Sequence, residues 1–129
     1  MEREPLGCAR CTGSDPAAAW AAMRTENLGV LVDESHFGVQ LLACSCGQRF
    51  AVVFTERIDW QGGEDDQTWL ALPVSPGEAA ELTASGEAEV PALLGRLGQG
   101  RRFMVRSFPT GGEIGVWWRQ GGFEIGPHD

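Results

Sequence analysis

Two close pairs of cysteines, Cys8-Ala9-Arg10-Cys11 and Cys44-Ser45-Cys46-Gly47, lie 32 residues apart and constrain this chain more than any other feature. Four thiolates so arranged can surround one tetrahedral ion, each pair spanning one edge of the tetrahedron, provided that the intervening segment doubles back. Cys8, Cys11, Cys44 and Cys46 are therefore the candidate metal ligands, and Zn²⁺ in a structural role is the expected cofactor. Four thiolates leave no coordination position for water, so catalytic zinc is disfavoured. A disulfide across Cys44 and Cys46 would be strained, which favours metal over oxidation as the resting state. A redox-sensing dithiol pair, an iron–sulfur cluster and unligated thiols are the rival readings of the same four residues.

The remaining composition fits one domain, residues 1–129, with a core of its own: 43% of the 129 residues are apolar, five of them Trp and six Phe. No apolar run approaches the roughly 20 residues of a membrane helix. The start, Met1-Glu2-Arg3-Glu4-Pro5, has neither the basic nor the apolar region of a secretory signal. A cytoplasmic setting is expected, where thiols stay reduced and paired cysteines hold metal more often than disulfides. The net charge of −8 argues against nucleic acid as a partner, since phosphate binding depends on releasing counterions with Lys and Arg. Charge is also unevenly spread. Residues 54–90 hold nine acids against Arg57 alone, whereas residues 91–112 hold Arg96, Arg101, Arg102 and Arg106 with no acid. These stretches can face each other or water within one domain, or present an acidic surface to a basic partner or an arginine patch to an anion.

Local signals outline an α+β fold. Asp15 and Pro16 start a helix through Ala17–Met23, with Trp20 and Met23 on its buried face. Residues 29–33 read as a strand and residues 34–36 as a turn. Val39, Leu41 and Ala43 alternate before the second cysteine pair, and Phe50, Val52 and Phe54 alternate after it, which predicts two strands with one buried face each and the cysteines at the hairpin tip. Gly47 suits the positive φ of such a turn. The second strand can continue to Ile58 and Trp60 before a polar loop at residues 61–66, and a further strand runs from Gln67 to Val74. Ser75-Pro76-Gly77-Glu78 has the form of a capping box at a helix start, and a second helix follows at residues 89–97 with Leu93, Leu94 and Leu97 buried and Gly98 past its end. Residues 102–108 and 113–119 read as strands joined by a turn at 109–112. The expected architecture is an antiparallel sheet with a hairpin metal site and two or three short helices.

Cys8, Cys11, Cys44, Cys46 and Gly47 resemble the cysteine pattern of the zinc-ribbon group of small metal modules, over residues 6–58 or so. Ribbons have two residues inside each pair, whereas here Ser45 stands alone in the second. The resemblance implies a structural zinc in a small bacterial-type protein. No nucleophile elbow, phosphate-cradling glycine loop or His-Glu-x-x-His pair is present, so no catalytic residue is assigned and an enzyme is not expected. A protein-binding or adaptor role is the expected function, with a thiol/zinc redox switch as the alternative. His36 could extend the metal site but four cysteines already complete it, and His128 lies near the chain end. Asp59, Glu64, Asp65 and Asp66 lack the ligand spacing of an EF-hand loop and read as a solvated loop. Adjacent Trp117 and Trp118 must point to opposite faces of a strand, one of them covered by the 93–97 helix or else offered as a contact surface for a protein partner.

Overall fold

The computed structural model of the chain describes residues 8–57, 66–109 and 115–125. Six strands, β1 (Glu26–Asp33), β2 (Phe37–Ala43), β3 (Arg49–Arg57), β4 (Asp66–Val74), β5 (Arg102–Pro109) and β6 (Gly115–Gln120), form one antiparallel sheet in sequence order. Helix α1 (Pro16–Met23) precedes β1, while α2 (Pro76–Ala84) and α3 (Val90–Leu97) lie between β4 and β5. The α+β expectation holds, with three helices among the described residues, none of them long and apolar enough to cross a membrane.

Both faces of the sheet are covered. On one face Val39, Leu41, Ala51, Val53 and Leu72 pack under Leu82, Val90, Leu93 and Leu94 of α2 and α3; on the other Leu42, Phe50, Val52, Ala71 and Met104 pack under Ala19, Trp20 and Met23 of α1. The expectation of one buried face for β2 and β3 is therefore corrected. Val39 pairs with Val53 and Leu41 with Ala51, so Val39 and Leu41 share a face with odd-numbered β3 residues and not with Phe50 and Val52. The runs Leu41-Leu42-Ala43 and Phe50-Ala51-Val52-Val53 are apolar without a break because each strand is buried on both sides.

Side-chain caps mark the starts of α1 and α2. The Asp15 carboxylate accepts from the Ala18 amide at 3.4 Å, and Trp20 and Met23 are buried as their spacing requires. Ser75 and Glu78 form a complete capping box, with bonds of 3.1 and 2.8 Å. Glu78 does more than cap: Arg101 donates to both of its carboxylate oxygens at 2.8 and 3.0 Å and to the Pro73 carbonyl at 2.9 Å, tying the start of α2 to the chain entering β5. That pair joins the acidic segment to the arginine-rich one. It also holds the Glu78 carboxyl down to about 2, chiefly through the Arg101 hydrogen bonds.

Gly98 ends α3 as anticipated, and a Cβ there would lie 2.5 Å from the Phe123 ring. Phe123 also meets Phe103 edge-on at 5.1 Å. Phe123 thus packs at the C-terminal end of α3. Trp117 is left 43% exposed, so its cover by the 93–97 helix is not found. Trp118 points to the α1 face. Ile58, Trp60, the acids Asp59, Glu64 and Asp65, the turn after Pro109 and His128 lie outside the described residues.

Candidate metal centre

The first cysteine pair sits in a tight turn at the entrance to α1. Thr12 donates to the Cys8 carbonyl through both its amide at 3.1 Å and its hydroxyl at 2.6 Å, and the Cys8 amide donates to the Cys11 sulfur at 3.2 Å. Gly13 is required here, since a Cβ would run into the Ala9 carbonyl oxygen. The second pair forms the tip of the β2–β3 hairpin. Cys44 donates to the Gln48 carbonyl at 3.0 Å, Gly47 donates back to the Cys44 carbonyl at 2.9 Å, and Gly47 takes φ 96°.

The fold brings the two turns together. Cys8 Sγ lies 3.7 Å from Cys11 Sγ and 3.6 Å from Cys44 Sγ, Cys11 Sγ lies 3.9 Å from Cys46 Sγ, and all four sulfurs fall within 4.8 Å of one another. A tetrahedron with metal–sulfur bonds of about 2.3 Å has edges of about 3.8 Å, so this spacing suits one ion at the centre. Several irons would spread their cysteines more widely. All four cysteines are free thiols, with Cys11 and Cys44 buried, Cys8 half-buried and Cys46 exposed. The group is thus a shielded cluster open on one side, able to hold a metal ion.

The thiols differ before any ion binds. Backbone hydrogen bonds, from Cys11 first and then Arg10, bring Cys8 down to about 6, whereas burial pushes Cys11 well up. The first shift favours the thiolate at Cys8 and the second the neutral thiol at Cys11, so a cation bound at Cys11 must displace its proton.

Three side chains that the cysteine pattern does not announce hold the turns in place. Arg10 donates to the Ser45 hydroxyl at 3.1 Å, linking one turn to the other across the open side. From the sheet, the Trp118 indole donates to the Gly13 carbonyl at 2.7 Å and Arg102 donates to the Thr12 carbonyl at 3.0 Å. Arg102 also lies over the Trp118 ring at 3.9 Å. Trp118 stands 105 residues from its partner in sequence, and no local pattern signals the contact.

His36 takes no part. It sits before β2, at the opposite end of that strand from Cys44, and its Nδ1 meets Glu56 Oε1 at 2.9 Å. Gln67 donates to the other Glu56 oxygen at 2.6 Å, and these two bonds, Gln67 first, hold the Glu56 carboxyl below its ordinary range. Comparison with protein-family models, with curated proteins and with solved structures found no match in any of the three.

Proposed function

We propose that the four cysteines bind one structural Zn²⁺ in a zinc-ribbon-like manner, and that the chain is a non-catalytic protein-binding module of a reducing, cytoplasmic setting. The observation that carries this reading is the spacing of the sulfurs, 3.6 to 3.9 Å along three edges of a closed tetrahedron. Four thiolates suit a zinc ion that neither changes oxidation state nor keeps a water. The ion would fasten the turn at residues 8–13 to the tip of the β2–β3 hairpin, and with it the approach to α1.

The docking surface in this reading is acidic. Glu78 and Glu56 are engaged within the fold, by Arg101 and by His36 and Gln67, which leaves Glu81, Glu87 and Glu89 exposed along α2 and the turn into α3. Such a surface suits a basic protein partner through steering more than through tight contact. Elemental analysis of reduced protein tests the zinc, and its absence would remove the basis of the reading. Affinity capture by the native chain and by a Glu81→Lys, Glu87→Lys, Glu89→Lys variant tests the surface; partners retained equally by both would refute it.

The exposure of Cys46 favours one second reading, a thiol/zinc switch in which an oxidant reaches the open side of the centre. Peroxide that leaves all four thiols titratable would exclude it.

A further inference from the structure

The two edges of the sheet differ. β1 is guarded: its pairing with β2 shifts register between Asn27 and Gly29 and again between Val30 and Val32, and Glu26, Asp33 and Glu34 place acids along or just beyond it. Bulges and charges are the devices by which an edge strand avoids recruiting another chain. β6 is unguarded. Its ladder with β5 runs from Gly115 to Gln120 without a shift, and among the described residues no backbone group of residues 116–120 bonds to backbone outside that ladder. Exposed Trp117 stands on this edge, its ring laid over Gly115 so closely that a Cβ there would meet it at 2.8 Å.

We infer that β6 is the contact surface for a second copy of this chain, joined edge to edge in an antiparallel β6–β6 ladder about a two-fold axis. Parity places the axis on a residue, and the match of Trp117 with Arg119 selects Trp117. An axis perpendicular to the sheet keeps like faces together, so residues opposite one another must share a face. With the axis at Trp117, that residue meets the partner's Trp117, Val116 meets the partner's Trp118, and Gly115 meets the partner's Arg119. Because each Trp117 ring lies over its own Gly115, the partner's Arg119 comes to rest against that ring. Arg119 is exposed and has no ion pair among the described residues, so this cation–π contact competes with nothing there. No like charges face each other across the ladder. An isologous pair uses up the open edge, and the guarded β1 edges at the two ends stop further growth.

A contact of one strand and its flanking side chains is small, so the dimer exchanges with monomer. The net charge of −8 on each chain opposes association, and added salt therefore tightens the dimer. Sedimentation velocity on the full, reduced, zinc-supplemented chain from about 5 to 200 μM reads this equilibrium directly. The dimer fraction should rise with concentration and with salt. Trp117→Thr, which keeps strand propensity, and Trp117→Arg should each weaken association at least tenfold while the far-UV circular dichroism stays the same. Val30→Arg, at a 60% exposed position on β1, should leave it unchanged. A chain monomeric at the highest concentration overturns the inference. So does a dimer that survives both Trp117 variants or is lost in Val30→Arg, and so does a monomer whose β6 edge takes up an added extended peptide.

Discussion

Replacing Trp118 with Phe removes one hydrogen-bond donor from behind the cysteine cluster while keeping an aromatic ring on β6. In the native chain the indole N–H reaches the Gly13 carbonyl at 2.7 Å, and Arg102, stacked on the same ring at 3.9 Å, reaches the Thr12 carbonyl at 3.0 Å. A neutral hydrogen bond contributes about 1 kcal/mol net, and one from a charged donor about 1.5–3 kcal/mol. Both contacts run from the sheet to the turn at residues 12–13 and use no sulfur of the cluster. They therefore set the fraction of metal-free chains in which Cys8 and Cys11 already face the hairpin tip, and apparent metal affinity scales with that fraction. With the ordered turn a minor form of the metal-free chain, loss of about 1 kcal/mol in Trp118→Phe lowers zinc affinity about fivefold, and loss of about 2 kcal/mol in Arg102→Met lowers it about thirtyfold. The double variant should fall short of the product, because the two side chains share a stack. Competition against a chromophoric chelator at pH 7 measures all four proteins. If both single variants bind zinc within about twofold of the native chain while melting earlier, metal alone places the turn and the reasoning fails.

Zinc affinity should climb with pH through the neutral range, because Cys11, raised by burial, must surrender a proton on binding; proton release by calorimetry in buffers of different ionisation enthalpy checks this, and a pH-independent affinity would contradict it. Arg101→Met should destabilise the fold by about 2 kcal/mol at pH 7, as it strips a carboxylate of its charged partner. The folded Glu78 carboxyl is depressed from 4.5 to about 2, so the stabilisation is whole above pH 4.5 and fades as pH falls toward 2, and urea melts of the native and variant chains should converge over that window. Gly47→Ala, at φ 96° with open space around it, should cost about 1–2 kcal/mol from backbone strain alone, read as a lower melting temperature.

Features set by neighbours in sequence were legible in the sequence alone. The Ser75–Glu78 capping box, the Asp15 cap, the Gly47 turn and the Gly98 helix end each depend on a few adjacent residues, and each stands where the pattern put it. The clustering of Cys8, Cys11, Cys44 and Cys46 was legible for a different reason, because paired thiols imply a shared ion whatever path the chain takes between them. What stayed hidden depends on distant pairings. Glu78 could be read as a cap but not as the partner of Arg101, 23 residues away. Alternation in β2 and β3 suggested one buried face, yet the face each residue occupies follows from the register of Val39 with Val53, which flips with a single-residue slip. One of Trp117 and Trp118 was expected under the 93–97 helix or else outward; Trp117 is the one left exposed, while the contact of Phe123 with Gly98 and Phe103 is one that no periodicity within β6 reveals.

The metal content of the purified, reduced chain bears most directly on the proposed centre. One zinc and no iron per chain, released by chelator with a fall in melting temperature and reduced by Cys→Ser substitution at any of positions 8, 11, 44 and 46, is the predicted result. A chain that carries no stoichiometric zinc, or that melts at the same temperature with and without chelator, would contradict it.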